Sequence, residues 1–153
     1  MGATDQTVRA RATRRFSATT ERVYAAWLDP AKIRDWFGPG LGPIVRIDVE
    51  SRVGGRFCWV QRRGDSDVEH VGEFLELESP GDPGGTGSPA PGRIAFTFAV
   101  PPDPVSRVFV DILPAGGGSE VTVTHEIPVE WAAFVPRSVE AWGKMLDAMA
   151  AVA

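Results

Sequence analysis

The most constraining feature of this chain is the position of its helices, which are predicted only near the two ends. A pair of short helices follows the first strand, and one long helix occupies residues 136–151. Between them, over residues 43–127, alternating apolar and polar residues separated by glycine- and proline-rich turns predict strand after strand. A single helix facing a long antiparallel sheet tends to bend that sheet and to leave a hollow. The pattern therefore predicts an α+β domain with room for a small molecule.

The chain of 153 residues is predicted to form one domain, residues 1–153. The predicted strands are Val8–Phe16, Ile44–Glu50, Arg56–Arg62, Val68–Glu78, Arg93–Val100, Ser106–Leu113 and Glu120–Ile127. The predicted helices are Glu21–Leu28, a short helix between Asp29 and Phe37, and Pro136–Ala151. Residues 1–6 are expected to be disordered. Residues 79–92, rich in glycine and proline, are predicted to form a flexible surface loop.

Charge and composition narrow the classes of function. The formal net charge of −4 disfavours nucleic acid as a partner. Because Cys58 is the single cysteine, no internal disulfide is expected, and a cytoplasmic location fits. With His70 and His125 as the only histidines, we expect no metal site, and no motif indicates a cofactor. No apolar run reaches the ~18 residues of a membrane span, so we expect no membrane association.

Aromatic side chains are the strongest indication of a binding pocket. Large flat rings and flexible methionines suit an adaptable apolar site, although each of them can equally be a filler of the core. The period of two along the strands predicts that five of them point inward. Three more residues face these five from the last helix, and two lie near the expected entrance. These candidates are Phe57, Trp59, Phe74, Phe96 and Phe98, then Trp142, Met145 and Met149, and finally Trp36 and Phe37.

Three polar residues have the same predicted inward orientation. The period of two places His70 and Glu76, on one strand, and His125, on another, on the concave face of the sheet. Imidazole exchanges a proton near neutral pH, and a carboxylate can orient it, so the three are candidates for ligand binding and for acid–base catalysis. The alternatives are a hydrogen-bonded core histidine and a structurally paired Glu76. A register slip of one residue would turn these side chains outward.

Four segments of the chain resemble a known family. They are ATTERVYAAWLDPAKIRDWFGP at residues 18–39, ESRVGGRF at 50–57, GEFLELESP at 72–80, and Trp142 with Leu146 on the last helix. Their order and spacing are similar to the START-like, or helix-grip, superfamily (also called SRPBCC). More narrowly, they resemble the stand-alone bacterial form of the activator of heat-shock protein 90 ATPase homologue family. The resemblance implies a curved antiparallel sheet of about seven strands around a long C-terminal helix, with two short helices after the first strand.

The resemblance also implies an internal cavity between the sheet and the last helix. The favoured prediction is therefore binding of a small hydrophobic or aromatic molecule there. A cyclase- or hydrolase-like enzyme using the inward histidines is the alternative. A chaperone ATPase regulator is a remote one, because relatives in that role carry a second domain that we do not expect here. Bacterial relatives also suggest a homodimer, for which Trp131 and Phe134 are candidate contacts. Covering the pocket mouth is an equally simple use for these two residues.

Overall fold

The computed structural model describes residues 6–81 and 90–153, and it has the predicted order of helices and strands. The strands are β1 (Thr7–Phe16), β2 (Ile44–Val49), β3 (Arg56–Arg63), β4 (Ser66–Glu78), β5 (Gly92–Phe98), β6 (Ser106–Ala115) and β7 (Gly118–Pro128). The helices are α1 (Thr20–Leu28), α2 (Pro30–Trp36) and α3 (Val135–Val152), and a 3₁₀ helix (Val129–Phe134) precedes α3. The strands form one antiparallel sheet in the order β1-β7-β6-β5-β4-β3-β2. This is the predicted helix-grip arrangement.

The two short helices begin where local side chains satisfy their free backbone N–H groups. The Thr19 hydroxyl accepts a hydrogen bond from the backbone N–H of Arg22 at 3.3 Å. The Asp29 carboxylate accepts one from the backbone N–H of Ala31 at 3.0 Å, and Pro30 occupies the first helical position, where no N–H is needed. These caps explain why the chain turns twice within a short segment and brings both helices onto the sheet.

Gly72 of β4 lies where β5 and the ring of Phe57 approach the backbone closely. A Cβ atom at this position would lie 1.9 Å from the carbonyl oxygen of Thr97 and 2.4 Å from the ring of Phe57. Only glycine leaves space for the Phe57 ring over β4 and for the close approach of β5.

The long helix α3 covers only part of that inner face. Its buried residues are Trp142, Gly143, Met145, Leu146 and Met149, which all follow its first two turns, residues 135–141. Their spacing of three and four gives an apolar stripe along one face of the helix. The stripe packs on the sheet and on α1 and α2, so the domain's core lies under the second half of α3.

Polar contacts hold this second half of α3 in place. The Arg14 guanidinium of β1 donates to the Asp147 carboxylate at 2.9 Å. The Lys32 ammonium of α2 donates to the carbonyl oxygen of Val152 at 2.6 Å. Asp147 and Val152 both lie in the last two turns of α3, so contacts from β1 and from α2 hold its C-terminal end.

Gln6, the last residue of the N-terminal segment predicted to be disordered, lies among the described residues. Its carbonyl oxygen accepts a hydrogen bond from the backbone N–H of Val129 at 3.1 Å, which ties the start of β1 to the 3₁₀ helix. Residues 1–5, and residues 82–89 of the predicted flexible loop, lie outside the described residues. Within the described chain, no helix has both the length and the apolar character needed to cross a membrane.

Candidate ligand-binding cleft

A cleft opens between the sheet and the first half of α3. None of the residues 135–141 of this helix is buried, whereas its buried stripe begins at Trp142. The first two turns therefore stand over the sheet without filling the space beneath them. The 3₁₀ helix closes one side of this space, and the loop that follows α2 closes the other.

The cleft has two lobes that share a floor. The lobe beside the 3₁₀ helix, which we call the helix lobe, has a volume of about 390 Å³. The lobe beside residues 37–41, which we call the loop lobe, has a volume of about 310 Å³. The two lobes share Phe98, Val100, His125, Arg137, Ser138 and Ala141. Because they share six residues, we treat them as one continuous cleft, with an apolar floor and a few polar groups.

His125 is the central polar residue of this floor, and the side chains around it use both of its ring nitrogens. Its Nε2 lies 2.6 Å from the Ser106 hydroxyl, which in turn donates to the carbonyl oxygen of Phe98 at 3.0 Å. Its Nδ1 lies 3.2 Å from the indole nitrogen of Trp142 and 3.3 Å from the Ser138 hydroxyl. The imidazole thus connects β6 and β7 to α3.

These partners assign the tautomer of His125. The indole N–H of Trp142 can only donate, so Nδ1 must be the unprotonated acceptor. Nε2 then carries the proton and donates to Ser106, whose own proton goes to a carbonyl oxygen. Burial lowers the pKa of His125 from 6.5 to about 4, in agreement with a neutral ring. His125 is therefore neutral at physiological pH, and neither nitrogen is free to exchange a proton with a ligand.

His70 lies on the wall of the loop lobe and is 3% exposed. Its Nδ1 lies 3.1 Å from the carbonyl oxygen of Trp59, and its ring stacks on Phe98 with a centroid distance of 5.8 Å. Phe37 meets the same ring edge-on at 4.7 Å. Burial lowers the pKa of His70, and the positive charge of Arg63 adds to this effect. This geometry fixes the ring as part of the pocket wall.

Apart from Glu76, the predicted site residues divide into two groups. The members that line the cleft are Phe37, His70, Phe98, His125, Trp142 and Met145. The members that belong to the closed core instead are Trp36, Phe57, Trp59, Phe74, Phe96 and Met149. Phe57 also borders a separate open depression at β2–β4, among charged side chains.

Aromatic rings surround Trp142 on its core side, and the predicted internal cavity stays a prediction. The Trp142 ring lies 6.1 Å from the Trp27 ring, 6.2 Å from Phe98 and 6.0 Å from His125, measured between centroids. Farther in, Trp36 and Phe96 are at most 1% exposed. The open cleft lies beside these rings, under the first two turns of α3.

The predicted inward orientation of Glu76 is wrong. β4 pairs Phe74 with Phe96 but Glu76 with Ala95, so a β-bulge adds one residue between them. The bulge turns Glu76 to the outer face, where its carboxylate lies 3.5 Å from the Arg93 guanidinium. Glu76 therefore has a structural partner and does not reach the cleft.

Several cleft residues were not predicted from the sequence. The helix lobe is lined by Trp131 and Phe134, as expected for a cover of the pocket mouth, and by Arg137 on α3, which the sequence did not indicate. The loop lobe is lined by Arg63, at the end of β3. Arg63 continues the inward period of Phe57 and Trp59, so a longer β3 strand would have revealed it. The 3₁₀ helix left no comparable signal, because six residues without a repeated pattern predict no helix.

Among the described residues, no group of three or more histidine, cysteine, aspartate or glutamate side chains is placed to hold a metal ion. The polar side chains that line the cleft are two histidines, two serines, two arginines, one lysine and two carboxylates: His70, His125, Ser106, Ser138, Arg63, Arg137, Lys144, Asp103 and Glu140. This set suits an organic ligand that is held by apolar contact and a few hydrogen bonds.

Comparison with known proteins supports the family indicated by the sequence. The model of the Activator of Hsp90 ATPase homolog 1-like protein family matches residues 17–153. The chain belongs to this family. No curated protein matches the chain significantly.

Solved structures of bacterial proteins share the fold of this Activator of Hsp90 ATPase homolog 1-like chain. A crystal structure of a Chromobacterium violaceum protein is 24% identical, with a TM-score of 0.76, over 95% of this chain and 96% of that one. The solution structure of an AHSA1-like protein from Aeromonas hydrophila is 21% identical, with a TM-score of 0.73, over 94% and 90%. A Staphylococcus aureus protein of unknown function is 14% identical, with a TM-score of 0.76, over 94% and 91%. At these identities the likeness shows the fold alone.

Proposed function

We propose that this protein binds a small apolar or aromatic molecule in the cleft under the first half of α3. The observation that carries the proposal is the continuous apolar cleft itself, with lobes of about 390 and 310 Å³. Each lobe falls at the lower end of the range of small-molecule sites, roughly 300–1,000 Å³. Membership of the family is compatible with small-ligand binding.

The side chains of the cleft favour an aromatic ligand. Phe98 lies between the two histidines, with centroid distances of 5.8 Å to His70 and 5.9 Å to His125. On the other side of the helix lobe, the rings of Trp131 and Phe134 are paired at 5.2 Å. A flat ligand between these walls would make offset or edge-on ring contacts.

Binding is better supported than catalysis. The alternative of a cyclase- or hydrolase-like enzyme needs a histidine that exchanges protons with the ligand. Both nitrogens of His125 are occupied by Ser106 and Trp142, and Glu76 lies on the outer face of the sheet, where it cannot orient either imidazole. We therefore assign the histidines to the pocket wall and to its hydrogen-bond framework.

Trp131 and Phe134 fit the proposal as a cover of the cleft. They line the helix lobe, and Phe134 is 44% exposed, so it borders solvent at the mouth. Their use as a homodimer contact stays a prediction, and so does a cytoplasmic location. Chromatography with light scattering, run with and without ligand, would measure the oligomeric state.

A variant that fills the cleft tests the proposal. Ala141 lines both lobes, and a leucine there would occupy part of their shared space while keeping a good helix former. Ala150 is an exposed alanine on the same helix outside the cleft, so Ala150→Leu is the matched control. Titration with the neutral fluorescent probe N-phenyl-1-naphthylamine, and melting curves with 2-naphthol, measure binding.

We expect the unaltered protein and Ala150→Leu to bind the probe equally, and Ala141→Leu to bind it about ten-fold more weakly. Melting temperature in the absence of ligand shows that both variants are folded. The proposal fails if the unaltered protein gives no fluorescence change and no shift in melting temperature with either compound. It also fails if Ala141→Leu binds as well as the control.

A further inference from the structure

Two arginines line the cleft without a carboxylate partner. Arg63 and Arg137 both border the loop lobe, and within the described chain neither lies within 4.0 Å of an acidic side chain. The third cation of that lobe, Lys144, is already paired with Glu140 at 3.2 Å. Most other arginines of the sheet are paired, as Arg62 is with Asp67 at 2.9 Å. The arginines of the cleft are thus the cations that a ligand can meet.

Arg63 is held in place by a buried side chain. Its Nε donates to the Oε1 atom of Gln61 at 2.8 Å, and Gln61 is 0% exposed. The Nε2 atom of Gln61 donates to the carbonyl oxygens of Gly38 and Gly42, each at 3.0 Å. Because two carbonyls require the amide N–H₂ group, the amide oxygen must face the arginine. The loop after α2 therefore orients the Arg63 guanidinium through Gln61.

The position of Arg63 favours a bound anion. The residue is half-buried, and burial lowers the pKa of its guanidinium, which shows that the charge is partly desolvated. A desolvated charge without an opposite charge is unfavourable, and a carboxylate on its free N–H groups would form strong charge-assisted hydrogen bonds. The planar guanidinium matches the two oxygens of a carboxylate.

Arg137 places a second positive charge at the mouth. Its guanidinium carbon lies 5.6 Å from the centre of the Phe134 ring, an arrangement that holds the cation beside the apolar wall. The acidic side chains that border the cleft are Glu140, which is paired, and Asp103 in the helix lobe away from Arg63. The loop lobe therefore has an apolar floor and a positive rim.

We infer that the ligand is a small carboxylate, whose apolar part lies against Phe98 and Trp142 and whose carboxylate group meets Arg63, with Arg137 at the entrance. This inference rests on the proposed function and adds a charge to the ligand. The expected ligands are aromatic or branched aliphatic acids. Their neutral derivatives should bind in the same cleft more weakly.

A matched pair of compounds separates the inference from the proposed function. 1-Naphthaleneacetate and 1-naphthaleneacetamide have the same ring and nearly the same size, but only the first is charged at neutral pH. Isothermal titration measures the affinity of each for the unaltered protein, for Arg63→Gln, for Arg137→Gln and for Arg22→Gln. Arg22 is an exposed arginine on α1 outside the cleft and serves as the control.

We expect the unaltered protein and Arg22→Gln to bind the acetate about ten-fold more tightly than the acetamide. Arg63→Gln should reduce this ratio to about two or less, and Arg137→Gln should reduce it by a smaller factor. Amide affinity should change little in all variants, which also shows that they are folded. If Arg63→Gln does not fold, Arg137→Gln and the loss of the ratio in high salt provide the same test.

Each other result has a distinct meaning. Equal binding of the two compounds to the unaltered protein overturns the inference and leaves the proposed function standing. A preference for the acetate that survives in both Arg63→Gln and Arg137→Gln also overturns it, because the charge would then be recognised elsewhere. If neither compound binds, and the neutral probe does not bind either, the proposed function itself is wrong.

Discussion

Two aromatic regions of this domain lie side by side and have opposite properties. In the core, Trp36, Trp59 and Phe96 are at most 2% exposed. In the cleft, Phe134 is 44% exposed and Phe98 is half-buried. Both regions consist of large rings on the inner side of the same fold. The difference shows that an inward aromatic residue becomes a filler or a pocket wall according to what covers it.

The element that covers the inner face is α3, and the number of side chains that it buries differs along its length. From Trp142 onward it inserts Trp142, Leu146 and Met149 into the space above the sheet, and its first two turns, residues 135–141, insert no buried residue. The end of the helix is also tied down, by Arg14 to Asp147 and by Lys32 to Val152. One helix thus closes the core at one end and leaves a cleft at the other.

The largest change in stability should follow the removal of an aromatic ring from the core. Phe96→Ala deletes a side chain that is 1% exposed and leaves a cavity. We expect the free energy of unfolding to fall by about 3–5 kcal/mol. Urea unfolding followed by tryptophan fluorescence measures it. A loss below about 1 kcal/mol would mean that the core is much looser than its ring contacts indicate.

Acid should lower the stability of the domain through His125, which lies between the two regions and connects the sheet to α3. The pKa of this residue is about 4 in the folded protein, compared with 6.5 without burial. The unfolded chain therefore binds a proton at pH values where the folded one does not, so stability is full above about pH 6.5 and falls toward pH 4. His125 alone should lower the free energy of unfolding by up to about 2 kcal/mol between pH 7 and pH 5.

The control for this pH effect is His125→Gln, which keeps a hydrogen-bonding side chain and does not titrate. Its stability should depend less steeply on pH over the same interval. A smaller slope of the same sign should remain, because burial also lowers the pKa of His70. Identical slopes for the variant and the unaltered protein would contradict the assigned neutral state of His125.

A smaller loss of stability is expected for a substitution of Gln61, which supports the loop lobe. Gln61→Leu keeps the size of the side chain but leaves the carbonyl oxygens of Gly38 and Gly42 without their donor. We expect the free energy of unfolding to fall by about 1–3 kcal/mol and the preference for naphthaleneacetate to decrease, because Arg63 loses its support. Urea unfolding and titration measure the two effects. An unchanged preference would show that Gln61 does not position Arg63.

The smallest change in stability should accompany the loss of a cleft wall. Phe134→Ala removes a ring that is 44% exposed, so the free energy of unfolding should change by about 0.5 kcal/mol or less. Binding of N-phenyl-1-naphthylamine should still weaken several-fold, since the ring borders the helix lobe. A loss of stability as large as that of Phe96→Ala would remove the distinction between wall and core.

Most of the fold could be predicted from the sequence because its signals are local. Strand alternation, the caps at Thr19 and Asp29 and the apolar stripe of α3 each depend on near neighbours in the chain. The elements agree with their predicted bounds to within about two residues. The inward orientation of both histidines also follows from a period of two, because the stretches 70–74 of β4 and 121–125 of β7 contain no bulge.

The site was harder to predict because it depends on longer-range geometry. One extra residue in β4 reverses the orientation of Glu76, and no residue type marks that bulge. Whether Trp59 or Phe98 lines a cavity depends on where α3 covers the sheet, which the helix's own sequence shows only through the late start of its buried stripe. The lone charge of Arg63 becomes visible only when its neighbours in space are known.

The indole N–H signals of the five tryptophans test most directly whether the cleft, rather than the core, binds ligand. Trp131 and Trp142 line the cleft, whereas Trp27, Trp36 and Trp59 belong to the core. On titration of ¹⁵N-labelled protein with 2-naphthol, the signals of Trp131 and Trp142 should move progressively and the other three should stay in place. If the three core signals move while Trp131 and Trp142 do not, the ligand enters the core and the cleft is not the site.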